Sequence, residues 1–191
     1  MSKAALRATL RAALANVDSE KRVVLSAAIC ARAIAQSEYA SASVIMAFLS
    51  LPDEVDTGDL IGAALRAGKR VAAPCADWDS KTMRVAPLTS VDRVVETGRH
   101  GLREPIAGSV GASIPLGDID LVIVPGLGFD ESGARLGRAA GFYDRFLAQP
   151  ELRAKRMALA LDRQIVERLP TEPHDQPVDL IVTESRVIRP A

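Results

Sequence analysis

The chain has no net charge, few aromatic rings and no long apolar run, and each shortage closes off a class of function. Lys plus Arg and Asp plus Glu both number 24, so no basic excess argues for nucleic acid or for an anionic membrane surface. Aromatic residues make up 4%, too few for a base-stacking platform. No apolar stretch approaches the ~20 residues of a membrane span. Cys30 and Cys75 stand apart, with neither a C-x-x-C pair nor a disulfide framework, which fits a reducing cytosol. What remains is ordinary globular composition, 48% hydrophobic and 25% charged over 191 residues. That is enough chain for one domain with a substantial core.

Hydrophobic patterning alternates helix and strand. Leu6, Leu10, Ala13, Leu14 and Val17 recur at helical spacing, and Lys3, Arg7 and Arg11, four residues apart, share another face of that helix. From spacing alone those cations form a solvated basic face. Asp18 is the expected N-cap of a second helix running to about Glu38, with Val23, Val24, Ala27, Ala28 and Ala31 as its buried side. Val44–Leu49 reads as a strand, Thr57 as the cap of a helix over Gly58–Ala67, and Gly68 as its stop. Val71–Cys75 and Met83–Leu88 read as strands, the second at an edge because Pro87 would break a central one. Trp78 is open to a role in the core, at the surface or against a ligand. His100 has no evident partner, and Ala107–Gly117 reads as a connector. Met157–Leu161 and Leu180–Thr183 complete the strands, the latter expected to be the last. The alternation predicts an α/β protein, a single domain over residues 1–191 with a largely parallel central sheet flanked by helices.

One stretch carries chemistry. Leu121–Val124 is a short β-branched apolar run, closed by Pro125-Gly126, as in a strand buried on both faces. Behind it come Gly126, Gly128 and Gly133, then Arg135-Leu136-Gly137-Arg138-Ala139-Ala140-Gly141, then Phe142–Leu147 as the first turns of a helix. A strand, a small-residue loop and a helix start aim backbone N–H groups at an anion. Arg135 and Arg138 can grip phosphate in a fork, and Asp144 can hold a magnesium ion already bound to phosphate oxygens. A plain connection with solvated arginines fits the same residues. His174-Asp175, alone, reads as a turn.

VPGLGFDESGARLGRAAGFYDRFL, over residues 124–147, resembles the signature of the 5-formyltetrahydrofolate cyclo-ligase family. The resemblance extends to KAALR at Lys3–Arg7, FLSLPDEVDT at Phe48–Thr57, LREP at Leu102–Pro105 and HDQPVDLIVTE at His174–Glu184. It implies ATP- and magnesium-dependent closure of 5-formyltetrahydrofolate to 5,10-methenyltetrahydrofolate, with ATP as co-substrate and Mg2+ as cofactor. By resemblance, Lys3, Arg7, Arg135, Gly137, Arg138, Ala139, Ala140, Gly141, Phe142 and Tyr143 contact ATP, with Arg138 in the catalytic role. Leu49, Glu54 and Phe142 contact the folate, and Asp144 and Asp175 hold magnesium. The partners implied are the two small substrates, without nucleic acid or membrane; a monomer is favoured. Met1–Val17 has no acid, a composition shared with organellar transit peptides. The family carries KAALR at the start of its folded part, so the segment reads as retained and the protein as cytoplasmic.

The departures lie in the loop. Where the family reads G-x-G-x-G-Y-Y-D, Ala139 replaces a glycine, Ala140 stands where glycine or lysine is usual, and Phe142 replaces a tyrosine. Ala139 is expected at ordinary negative φ, so that Ala139→Gly would cost stability, about 0.4–1 kcal/mol. Asp144 has no packing role evident in the sequence, so Asp144→Asn is expected to weaken magnesium dependence far more than apo stability. Two alternatives fit the altered loop. One is a diverged folate- or nucleotide-binding protein with little catalysis; the other is an ATP-dependent enzyme of the same fold acting on a different small amide.

Overall fold

The structure, a computed structural model, describes residues 2–90, 96–97, 101, 103–105 and 114–190. His100, Leu102 and most of the expected connector lie outside them. The elements run α1 (Lys3–Ala15), α2 (Ser19–Ile34), α3 (Ser37–Ser41), β1 (Val44–Ala47), α4 (Gly58–Arg66), β2 (Arg70–Asp77), β3 (Thr82–Leu88), β4 (Glu96–Thr97), β5 (Arg103–Glu104), β6 (Leu121–Val124), β7 (Gly128–Phe129), β8 (Arg135–Leu136), α5 (Phe142–Leu147), β9 (Lys155–Leu159), β10 (Leu180–Val182) and β11 (Val187–Ile188).

The main sheet has the order β11-β10-β9-β6-β1-β2-β3. Its five central strands are parallel, and β3 and β11 close the edges antiparallel. The apolar runs are explained by burial on both faces. Ile45, Ala47, Leu121 and Ile123 point into one core with Leu10, Leu14, Ile29 and Leu60 from α1, α2 and α4. Val44, Met46, Val122 and Val124 point into the other with Phe146 and Leu147 from α5. Each fully buried Ile or Leu contributes roughly 1.5–3 kcal/mol to folding. Taken in chain order, the second parallel strand lies on one side of β1 and the rest lie on the other. The order therefore reverses between β1 and β6, the crevice where open α/β sheets hold ligands.

Several local expectations change. The buried side of α2 is Leu25, Ser26, Ile29, Cys30 and Ala33, while Val23 and Val24 are 65% and 68% exposed. Two adjacent valines suggested a buried face, but the wider stripe of Leu25, Ile29 and Cys30 wins the packing. The helix also stops at Ile34, with Ala35 as its C-cap, and α3 follows. Asp18 caps α2 as expected, its carboxylate accepting from the Glu20 and Lys21 N–H groups. Thr57 stands at the N-cap position of α4 as expected, but not by its side chain: its hydroxyl donates to the Phe48 carbonyl, and Asp56 accepts from the Gly58 N–H. β10 is not the last strand, because Thr183 accepts from Arg186 N–H and turns the chain back into β11.

The glycine-rich stretch is more structured than a loop. β7 and β8 form a small hairpin, Gly128 opposite Leu136 and Phe129 opposite Arg135. Buried Asp130 organises its turn by accepting from Ser132 N–H and Oγ, Ala134 N–H and Leu169 N–H. Of the three glycines, only Gly133 needs its freedom of φ, at +84°, and a Cβ there would meet the Val178 carbonyl at 2.6 Å.

Candidate active site

At the β1/β6 crevice, α1, the Ser50–Thr57 loop, the β2–β3 hairpin, the 137–141 loop and the 172–175 turn surround a cavity of about 640 Å³. That is within the range of small-molecule sites. Every residue that the family resemblance assigns to ATP, folate or magnesium lines it.

The basic stripe of α1 forms one wall. Leu10 and Leu14 are buried and project from the same side of the helix as Lys3 and Arg7, three and four residues apart, so packing that side against the core carries the cations to the cavity. Arg7 Nε donates to the Gly137 carbonyl at 2.9 Å, and Arg11 Nη2 to the Arg138 carbonyl at 3.3 Å. Lys3 pairs with Asp175 at 2.7 Å and Glu172 at 2.9 Å. Burial works against the Lys3 charge, but the two carboxylates outweigh it and raise its pKa above the ordinary value. Arg11 is exposed, as its spacing implies, and also lines the cavity.

Arg138 joins the two halves of the cavity. Its Nη2 pairs with Asp53 at 2.7 Å and its Nε with Glu54 at 3.0 Å. Glu54 also accepts from the Leu51 N–H and is 11% exposed at its side chain. Burial pushes its carboxyl above the usual range, against the pull of the Arg138 guanidinium. Arg138 itself loses solvation but is held charged by the two carboxylates, which raise its pKa. The residues that resemblance places on the folate and phosphate sides are therefore one ion-paired unit.

Arg135 was expected to flank the loop, yet its side chain is only 3% exposed and pairs with Asp144. That pairing gives Asp144 the structural role that its sequence context lacked. Tyr143 packs alongside, with Arg135 5.9 Å from its ring centre. Burial raises the Tyr143 phenol pKa. The Tyr143 hydroxyl and Arg135 Nε are buried without a hydrogen-bond partner among the described residues, the condition of polar groups that await a ligand or water. Trp78 meets Phe142 edge-to-face, with ring centres 4.8 Å apart, so the uncertain tryptophan is a cavity wall.

Ala139 has φ +97°, contrary to the expected negative value. A left-handed L residue costs on the order of 1–3 kcal/mol, so the alanine occupies a conformation suited to glycine. Gly141, at φ +68°, begins α5. That helix has six residues, so anion attraction here rests on the loop's own N–H groups more than on a helix dipole.

The acidic rim fits a hard cation by donor chemistry. Gln176 N–H, next to Asp175, reaches Asp144 Oδ1 at 3.4 Å and so brings the two aspartates to one side of the cavity. Asp144 Oδ2 has no protein donor among the described residues, and oxygen donors of this kind suit magnesium bridged to phosphate. Asp175 is occupied by Lys3, which pulls its carboxyl below the ordinary range in spite of burial. Glu172, His174 and Asp175 offer ligand atoms within 4.8 Å of one another; the sequence singled out the last two, and Glu172 went unnoticed.

A small-residue loop and clustered cations at the switch point, facing a buried carboxylate, define an α/β protein whose cavity suits an anionic ligand beside a hydrogen-bonding one. The sequence profile of the 5-formyltetrahydrofolate cyclo-ligase family matches residues 1–184. The chain is 33% identical over 190 residues to the mouse 5-formyltetrahydrofolate cyclo-ligase, covering 96% of this chain and 94% of that protein. It is 36% identical over 147 residues to the Escherichia coli K12 protein of the same name, covering 76% and 80%. The NMR structure of Aquifex aeolicus 5,10-methenyltetrahydrofolate synthetase superposes with a TM-score of 0.84 at 28% identity, covering 99% of this chain and 93% of that one. This chain belongs to the 5-formyltetrahydrofolate cyclo-ligase family. No helix among its described residues is long and apolar enough to cross a membrane.

Proposed function

We propose that this protein closes 5-formyltetrahydrofolate to 5,10-methenyltetrahydrofolate while converting ATP to ADP and phosphate. The observation that carries the reading is Arg138, which spans the phosphate-side loop and Glu54 by its ion pair. One side chain thereby ties the position of the nucleotide to that of the folate.

The chemistry needs that tie. A formyl oxygen on an amide-like nitrogen is a poor leaving group. Its attack on the γ-phosphorus forms an O–P bond as the bond to ADP breaks, and N5 carries the resulting iminium. N10 then attacks the activated carbon and loses its proton, and phosphate departs as the N5 lone pair re-forms the amidinium product. The protein's part is positioning and charge neutralisation. Lys3, Arg7, Arg135 and Arg138, with the N–H groups of Gly137 to Gly141, serve the phosphates, and Phe142 and Tyr143 cover the nucleotide. Glu54 accepts hydrogen bonds from the pterin, against a wall made by Leu49 and Phe142. Magnesium held by Asp144 and Asp175 would supply further neutralisation of phosphate charge. Lys3, paired with Asp175 and Glu172 in this structure, would be free to turn to phosphate oxygen with Asp175 on the metal.

Mixing the protein with 5-formyltetrahydrofolate, ATP and magnesium is expected to produce methenyltetrahydrofolate absorbance, dependent on both ATP and the metal. Tight folate binding with no absorbance at saturating magnesium ATP would instead favour a binding protein. Turnover of a different amide alone would favour the other enzyme reading.

A further inference from the structure

Three arginines hold the carbonyl oxygens of the loop that carries Ala139. Arg7 holds Gly137 O, Arg11 holds Arg138 O, and Arg145 Nη2 holds Ala140 O at 2.9 Å. A trans peptide carries its N–H and C=O on opposite sides. With these oxygens turned toward guanidinium groups, the N–H groups of Arg138, Ala139 and Gly141 point the other way. Arg145 also donates from Nε to the Lys81 carbonyl at 2.8 Å and lies 5.5 Å from the Phe142 ring centre. It thus anchors the loop to the turn of the β2–β3 hairpin.

We propose that Arg11 and Arg145 are positioning residues for the nucleotide, acting through the backbone of the loop. The need for them follows from Ala139. A glycine holds φ near +97° without steric penalty, whereas an alanine relaxes away from it unless the loop on either side of it is held. Arg11 holds the peptide that enters Ala139, and Arg145 holds the peptide that leaves Ala140. The pair therefore does with hydrogen bonds what a glycine would do by lacking a Cβ. The inference rests on the reading that this loop takes ATP phosphates.

The test uses the full chain with Arg11→Met and Arg145→Met, each alone and combined with Ala139→Gly. Magnesium ATP affinity is read from the fluorescence of Trp78, the single tryptophan, which packs on Phe142 beside the loop. Each arginine variant alone is expected to weaken ATP roughly tenfold, and the penalty is expected to shrink to about threefold or less with Ala139→Gly, as for groups that act on one another. In turnover the KM for ATP rises while the KM for 5-formyltetrahydrofolate stays at the parent value, and urea unfolding identifies any variant that fails to fold. Equal penalties with and without Ala139→Gly would overturn the proposal, since the arginines would then act independently of the loop's strain. So would unchanged ATP affinity in both single variants. The parent titration separates the two levels: no response of the parent to magnesium ATP would defeat the nucleotide reading itself.

Discussion

Arg138→Met is expected to lower kcat/KM for cyclisation by roughly 10²–10³-fold, the scale set by removing one preorganised donor from a developing charge. Methionine keeps most of the side-chain bulk, so the loss isolates the guanidinium. Two effects combine. The transferring phosphoryl group loses a cation, and Glu54 loses its ion-pair partner while remaining buried, with the Leu51 N–H as its other donor. Leaving such a group uncompensated costs roughly 1–3 kcal/mol of stability. The pH dependence carries a definite sign. Burial already raises the Glu54 carboxyl in the folded protein, and the variant raises it further. A carboxyl with a raised folded pKa favours folding below its unfolded pKa, and that contribution is lost as pH rises through the folded value. The stability deficit of Arg138→Met relative to the parent should therefore be small near pH 5 and larger near pH 8. Urea unfolding at the two values checks this. A deficit that grows toward acid would show that Arg138 does not compensate the Glu54 charge.

Asp144→Asn is expected to act on stability as well as on the metal. Arg135 is nearly fully buried, and Asp144 is its charged partner; a guanidinium cannot shed its proton to escape. Breaking a buried pair from one side costs on the order of 3 kcal/mol, and the amide retains only part of the hydrogen bonding. Urea unfolding of the apo protein should thus show a clear loss, and Arg135→Met combined with Asp144→Asn should restore part of it. Magnesium dependence should weaken in the same variant, because Asp144 also lines the cavity. Parent-like apo stability together with weakened magnesium dependence would mean that Asp144 serves the metal alone, and the ion pair contributes nothing.

Patterns that repeat along the chain were readable in the sequence, and pairings across it were not. Continuous apolar runs identified β1, β6, β9 and β10 because strands buried on both faces leave no other mark. Contiguous motifs singled out Lys3, Glu54, Arg138 and Asp175, which line one cavity although they lie far apart in the chain. The face of α2 was misread because two valines outweighed a stripe whose partners are distant. The ion pair of Arg135 with Asp144 was missed for a related reason: a charge reads as solvated until its partner is known. Ala139 shows a third limit. Its left-handed φ is one that no local propensity of alanine announces.

The most direct test of the account follows the formyl oxygen. If Arg138 and the loop place the γ-phosphate against that oxygen, 5-formyltetrahydrofolate labelled with heavy oxygen in the formyl group should deliver its label to inorganic phosphate, one atom for each methenyltetrahydrofolate formed. Unlabelled phosphate, with the heavy oxygen recovered in water, would contradict it.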